Sequence, residues 1–118
     1  MDWNSAENEC AKSNAHLASV HSDAEMEFIT KLQNSNFVAW IGAQREGEKF
    51  KWNDGSKFDF INWNVGEPNH RNRMENCVEF YSRSEGYRTA LKWNDVECFH
   101  KNSYVCKKAK RGFQSQGK

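Results

Sequence analysis

The chain holds a single proline, Pro68, among 118 residues, and no stretch of about 18 apolar residues of the kind a membrane span needs. Its start, Met1-Asp2-Trp3-Asn4-Ser5, has neither the basic flank nor the apolar run of a signal peptide. That leaves two expectations: a domain expressed alone, or residues lying upstream. A dominant charge is missing too. The 17 Lys and Arg against 16 Asp and Glu give a formal net charge of +1, so no global field draws the chain to nucleic acid or to acidic membranes. No two cysteines form a Cys-x-x-Cys pair, which removes the usual sequence signal of a zinc or redox site. No Ser/His/Asp or Cys/His order suggests a nucleophilic enzyme. Internal repeats, low-complexity linkers and Asn-x-Ser/Thr acceptors are also lacking.

What is present points to a rigid, loop-rich globule. The length bounds it to one domain. Aromatics reach 14%, with five Trp and eight Phe, so large rings must supply much of the core. Four cysteines, Cys10, Cys77, Cys98 and Cys106, stand in a small chain with little aliphatic core. Two disulfides are the economical use of them and imply an oxidising compartment, secreted or extracellular. Four cysteines allow three pairings, and counting does not choose among them.

Periodicity places two helices first and short strands after them. Residues 2–14 set Trp3, Ala6 and Cys10 on one side of a helix, with Asp2 or Asn4 as its cap. Ser22 followed by Glu25 is a capping box, and Glu25, Phe28, Ile29 and Leu32 continue at helical spacing until about residues 33–36. Strand-like runs follow at 37–43, then at 50–52 and 58–60 on either side of an Asp54-Gly55 pair that reads as a hairpin turn. Residues 62–76 read as a long polar loop, and a structureless loop of that length in a compact domain suggests function. Residues 77–82, 89–93 and 102–108 read as three further strands, and 107–118 as a basic, solvated tail including Lys107, Lys108, Lys110 and Arg111.

The loop carries the chemistry. Glu67 and Asn69 flank Pro68, so both side chains project from one tight turn, and Glu75 follows eight residues after Glu67. Asn94 and Asp95 lie just before Cys98; a Cys77–Cys98 bond would bring them to the loop. Three carboxylates and two amides suit a hard cation, because calcium takes 6 to 8 oxygen ligands from carboxylates and carbonyls together. Zinc would ask for His or Cys, and His16, His21, His70 and His100 are too scattered to form a group. A Glu-Pro-Asn turn taken alone is most often solvated. A second Trp-Asn-Asp at 52–54 shows how little that tripeptide proves by itself. At 93–95 the spacing to Cys98 and the acidic loop favour ligation.

The ordered set of these anchors resembles the C-type lectin-like domain. The resemblance runs from Trp3 through Cys106, giving residues 1–106 as the domain. It rests on WNSAENEC, AHLASVHSDAEMEFI, WIGA, FKWNDG, NWNVGEPN, ENC, WNDVEC and YVC in that order. It implies an α+β fold with two helices, looped antiparallel sheets and a long calcium-binding loop. It pairs Cys10 with Cys106 and Cys77 with Cys98, and makes Glu67–Pro68 cis. It implies one calcium held by Glu67, Asn69, Glu75, Asn94 and Asp95. Sugar hydroxyls would reach the ion while donating to Glu67 and Glu75 and accepting from Asn69 and Asn94. The Glu-Pro-Asn order resembles members selecting mannose, N-acetylglucosamine, glucose or fucose, whereas galactose-type members carry Gln-Pro-Asp. The alternative is a protein-binding or adhesion domain on the same fold, with calcium ordering the long loop.

Departures from the family pattern sharpen these expectations. Members usually begin with a further strand, so the C-terminal strand around Tyr104 is expected either as an exposed edge, open to a homo-oligomer, or beside a segment lost upstream. Arg45, His70 and Asn76 stand where auxiliary calcium sites often have carboxylates. His70, Arg71 and Arg73 are candidate secondary ligand contacts; the bland reading is a solvated loop, the sharper one a preference for anionic glycans. Trp40, Trp52, Trp63 and Trp93 are read as packing residues rather than sugar platforms.

Overall fold

The computed structural model describes residues 1–33, 37–70 and 74–108. α1 (Trp3–Ala11) begins at Asp2, whose carboxylate accepts from the Ser5 N–H at 2.7 Å, and it buries Trp3, Ala6 and Cys10 as expected. β1 (Ala15–Leu17) comes next, a strand the sequence reading does not contain. α2 (Asp23–Leu32) begins at Ser22, whose hydroxyl accepts from the Glu25 N–H. Glu25 answers by accepting from the His21 N–H at 2.7 Å, one residue earlier than a standard capping box. The helix buries Met26 and Ile29, while Phe28 and Leu32 are 62% and 57% exposed. Its inner face is therefore rotated from the expected one, because Met26 reaches the core, where the indole N–H of Trp93 meets its sulfur at 3.2 Å.

The larger sheet is made of β2 (Val38–Glu46), β3 (Lys49–Trp52), β4 (Cys77–Tyr81) and β5 (Trp93–Val96), in the order β3-β2-β4-β5, all antiparallel. β6 (Ser103–Tyr104) lies parallel beside β2. β7 (Cys106–Lys108) pairs with β1 in a separate two-stranded sheet. Gly42 in β2 comes so close to Leu17 that a Cβ would stand 2.4 Å from its carbonyl oxygen. Only glycine lets the two sheets meet there.

Four details differ from the sequence reading. The hairpin turn is Gly47-Glu48, with Gly47 at φ 67, and residues 58–60 form no strand. The Asp54 carboxylate explains this: it accepts from the Ser56 N–H and hydroxyl and from the Ser19 hydroxyl, which turns the chain away from β3. β5 starts at Trp93 rather than at 89, since Leu91 adopts φ 73, outside strand geometry. The run 102–108 splits in two: Tyr104, in β6, pairs with Trp40 of β2 and has no second named strand partner among the described residues, while β7 pairs with β1. Lys107 is not solvated either. Its ammonium donates to Ser19 and, at 2.6 Å, to Glu25, whereas Lys110 and Arg111 lie outside the described residues.

Aromatic rings do fill the core. Trp40, Trp52 and Trp93 are buried, and Trp63 packs half-buried against Trp93 at 5.6 Å in an edge-to-face arrangement. Trp3 and Trp40 donate their indole N–H groups to the Ile41 and Met1 carbonyls. The disulfides are Cys10–Cys106 and Cys77–Cys98, the pairing the resemblance implies. The first ties α1 to β7 and the second ties β4 to the chain just after β5.

Candidate cation and sugar site

The long loop is anchored before it reaches its functional turn. Asn62 and Asn64, on either side of Trp63, are buried among partners from residues 87–92. Asn62 donates to the Leu91 carbonyl and accepts from the Lys92 ammonium; Asn64 donates to the Tyr87 carbonyl and accepts from the Thr89 N–H. Backbone bonds join Trp93 to Asn62 and Asn64, laying this stretch along the start of β5. The sequence reading singles out neither asparagine. The available signal is an amide on each side of a tryptophan, since buried amides must be satisfied on both ends.

The chain then turns. The Glu67 N–H closes on the Asn64 carbonyl at 2.9 Å, with Gly66 at φ 87 in the position that needs it. Glu67–Pro68 is cis, as expected. His70 follows at φ 47, uncommon for a residue with a side chain. The bend aims two successive N–H groups at one carboxylate: Asn69 donates to Asp95 Oδ1 at 3.0 Å and His70 to Oδ2 at 2.8 Å. Asp95 is fully buried on β5, and Arg45 on β2 donates to its Oδ2 at 2.9 Å.

Glu67 completes the acidic heart of the site. Its Oε1 is buried with no hydrogen-bond partner. Burial above all, then hydrogen-bond-range contact with the Asp95 carboxylate and the charges of Asp95 and Glu75, push its carboxyl up to about 7; the Asn69 backbone N–H partly offsets this. Glu75 stands just before β4, and its carbonyl accepts from Arg45 Nε at 3.3 Å.

Asn94 is engaged elsewhere. It is paired in register with Glu79 of β4, and its amide donates to the Glu79 carboxylate at 2.9 Å. Glu79 is buried, which raises its pKa, and Asn94 and Asn102 partly counter this by donating to it. Residues one apart on a strand face opposite ways, so Asn94 and Asp95 diverge. Among the described residues, no three His, Cys, Asp or Glu side chains converge closely enough to hold a metal ion by themselves. The expected set also draws on two amides, which add oxygens without adding repulsion.

The residues fit a cation on one direct observation: an unpartnered carboxylate oxygen lies beside a second buried carboxylate. Glu67 and Asp95 are in contact, the charge of Glu75 acts on Glu67, and Arg45 pairs Asp95. His70 sits next to this site and, with Arg45, Gly47 and Glu48, lines an open pocket of about 530 Å³. Arg71 and Arg73 lie outside the described residues.

A domain with this topology, these two disulfides and this looped site is of the C-type lectin class. Residues 1–108 match the family described as Lectin C-type domain, and the chain belongs to it. It is 39% identical over 115 residues, 92% of its length and 68% of the relative's, to the galactose-specific lectin nattectin of Thalassophryne nattereri. It is 37% identical over 113 residues, 89% of its length and 69% of the relative's, to a mannose-binding C-type lectin isoform of Oxyuranus scutellatus. A calcium-independent type II antifreeze protein shares the fold at a TM-score of 0.77 and 26% identity, covering 90% of this chain and 77% of that one. The lectin relatives are binding proteins rather than enzymes.

Proposed function

We propose that the chain is a secreted or extracellular lectin that binds mannose-type sugars through one calcium ion. The observation that carries this is the pairing of Glu67 with Asp95, with a buried Glu67 oxygen left unpartnered inside a turn that also presents Asn69. Glu67, Asn69, Glu75, Asn94 and Asp95 would hold the ion. Calcium supplies a positive centre that neighbouring sugar hydroxyls can coordinate. The chain's own side chains set the rest: carboxylates of Glu67 and Glu75 accept from those hydroxyls, and the Asn69 amide donates to them. Asn94 donates an amide hydrogen to Glu79 and diverges from Asp95 along β5, so it joins the ion by leaving that partner. The Glu-Pro-Asn order supports mannose, N-acetylglucosamine or fucose over the galactose of the first relative's name.

A second reading has its own support. Arg45 already pairs Asp95, and a calcium-independent protein shares the fold, so the same loop can serve as a metal-free surface for a protein partner. Mannose binding measured with calcium, with chelator and in Asn69→Asp separates the two. The lectin reading expects binding that chelator abolishes and that Asn69→Asp weakens at least about a hundredfold, since a lost donor and an added charge act together. Binding indifferent to both treatments overturns it.

The Glu67 carboxyl gives the site a pH signature. Its ordinary value is 4.5 and its value in the ion-free fold is about 7. Between these the unfolded chain has released the proton and the fold still holds it. Stability of the ion-free protein therefore falls as pH rises through this window. Calcium needs the ionised form, so the stabilisation it confers grows over the same range. Thermal midpoints with chelator and with calcium, taken from pH 5 to 8, should diverge as pH rises. A constant increment contradicts the assignment.

A further inference from the structure

We propose that Arg45 is a resident cation that holds the 67–70 turn in its ion-ready shape, so that this loop is ordered before any calcium arrives. The inference rests on the calcium reading of the site and adds a positioning residue to it.

Arg45 reaches the loop from three directions at once. Its own N–H donates to the Asn76 carbonyl at 2.8 Å, its Nε to the Glu75 carbonyl, and its Nη2 to Asp95. The guanidinium lies over the ring of Phe50, 4.5 Å from the centroid, and Phe50 packs on Trp63 at 4.9 Å. Arg45 and Phe50 face one another across β2 and β3, so the hairpin fixes where the charge stands. A planar fork held on an aromatic face and bonded to two different segments has little freedom to leave. Its side chain is only 10% exposed, and the Asp95 side chain is not exposed at all.

Asp95 passes this constraint on to the turn. A carboxylate offers about four lone-pair positions. Three are taken: Oδ2 by Arg45 and the His70 N–H, Oδ1 by the Asn69 N–H. About one remains on Oδ1, which suffices for one bond to a cation with Arg45 still in place. Without Arg45, a fully buried carboxylate would be held by two amide hydrogens alone, and an uncompensated buried charge is costly. The turn amides would then lose their fixed acceptor. The Arg45 charge also offsets that of Asp95. Lysine, with a mobile point charge, would supply the charge without the bridge.

Amide hydrogen exchange of the full chain tests this, with Asn69 and His70 as reporters and β2 and β4 amides as the fold reference. In chelator, wild type is expected to keep Asn69 and His70 protected within about tenfold of their calcium-loaded rates. Arg45→Met keeps an apolar stem against Phe50; it should lose roughly a hundredfold of that protection in chelator, keep the reference amides, and recover with calcium. Arg45→Lys should fall between. Wild-type reporters exchanging in chelator as fast as an open loop overturn the proposal, whether or not any variant folds. So does a folded Arg45→Met that stays protected in chelator. A separate failure of mannose binding by the calcium-loaded wild type would sink the lectin reading and leave this exchange result standing.

Discussion

Asp95→Asn is expected to abolish calcium-linked stabilisation and to lower stability by about 3–5 kcal/mol, the usual cost of breaking a buried ion pair from one side. The substitution changes no volume, so the effect is electrostatic and geometric. Three contacts to this side chain are donors, the N–H groups of Asn69 and His70 and the Arg45 guanidinium, and the fourth is the Glu67 carboxylate. An amide has one oxygen and one NH2. Whichever way it is turned, the NH2 faces a donor, and Arg45 loses its counter-charge in a buried place. Urea unfolding and a calcium titration give the two readouts. The double variant Arg45→Met with Asp95→Asn should recover part of the loss, because the orphaned guanidinium is gone. A single-variant loss under about 1 kcal/mol would show that Asp95 is not the buried hub its contacts describe.

Replacing Cys10 and Cys106 together by Ala is expected to cost about 4 kcal/mol, enough to unfold a marginal domain near body temperature. The two cysteines are 96 residues apart, against 21 for Cys77 and Cys98. Loop-closure entropy grows only with the logarithm of that length, so removing the shorter bridge should cost about 1 kcal/mol less. Thermal unfolding of the two double variants compares them directly. Equal losses, or a larger loss for the 21-residue bridge, would mean that contacts rather than chain entropy set the values.

The helices, the disulfide need, the tryptophan core and the acidic loop were legible because each rests on a local or compositional signal. Ser22 and Glu25 mark a helix start wherever they occur, and Trp3, Ala6 and Cys10 mark a buried stripe. What was not legible depended on a distant partner. The inward turn of Met26 follows from Trp93, 67 residues away, and the failed hairpin at Asp54 follows from Ser19, 35 residues away. Arg45 reads in the sequence as a lost ligand, and the fold makes it a counter-ion, because its distance to Asp95 is set by strand order and not by spacing. Asn94 shows the reverse case. Its motif assigns it to the ion, while its register opposite Glu79 supplies a competing acceptor that no motif records.

The two ends of the described domain are sewn to each other. Met1 exchanges backbone hydrogen bonds with Asn102, the Trp3 N–H reaches the Cys98 carbonyl, and Cys10 joins Cys106. During synthesis, then, Met1, Trp3 and Cys10 wait for these partners until residues 98–106 have emerged. Folding cannot proceed in the order of translation, and for that interval Trp3 and a free Cys10 thiol are open to the wrong neighbours. A cell making this chain would need its oxidation machinery to act late, after the last strand is out.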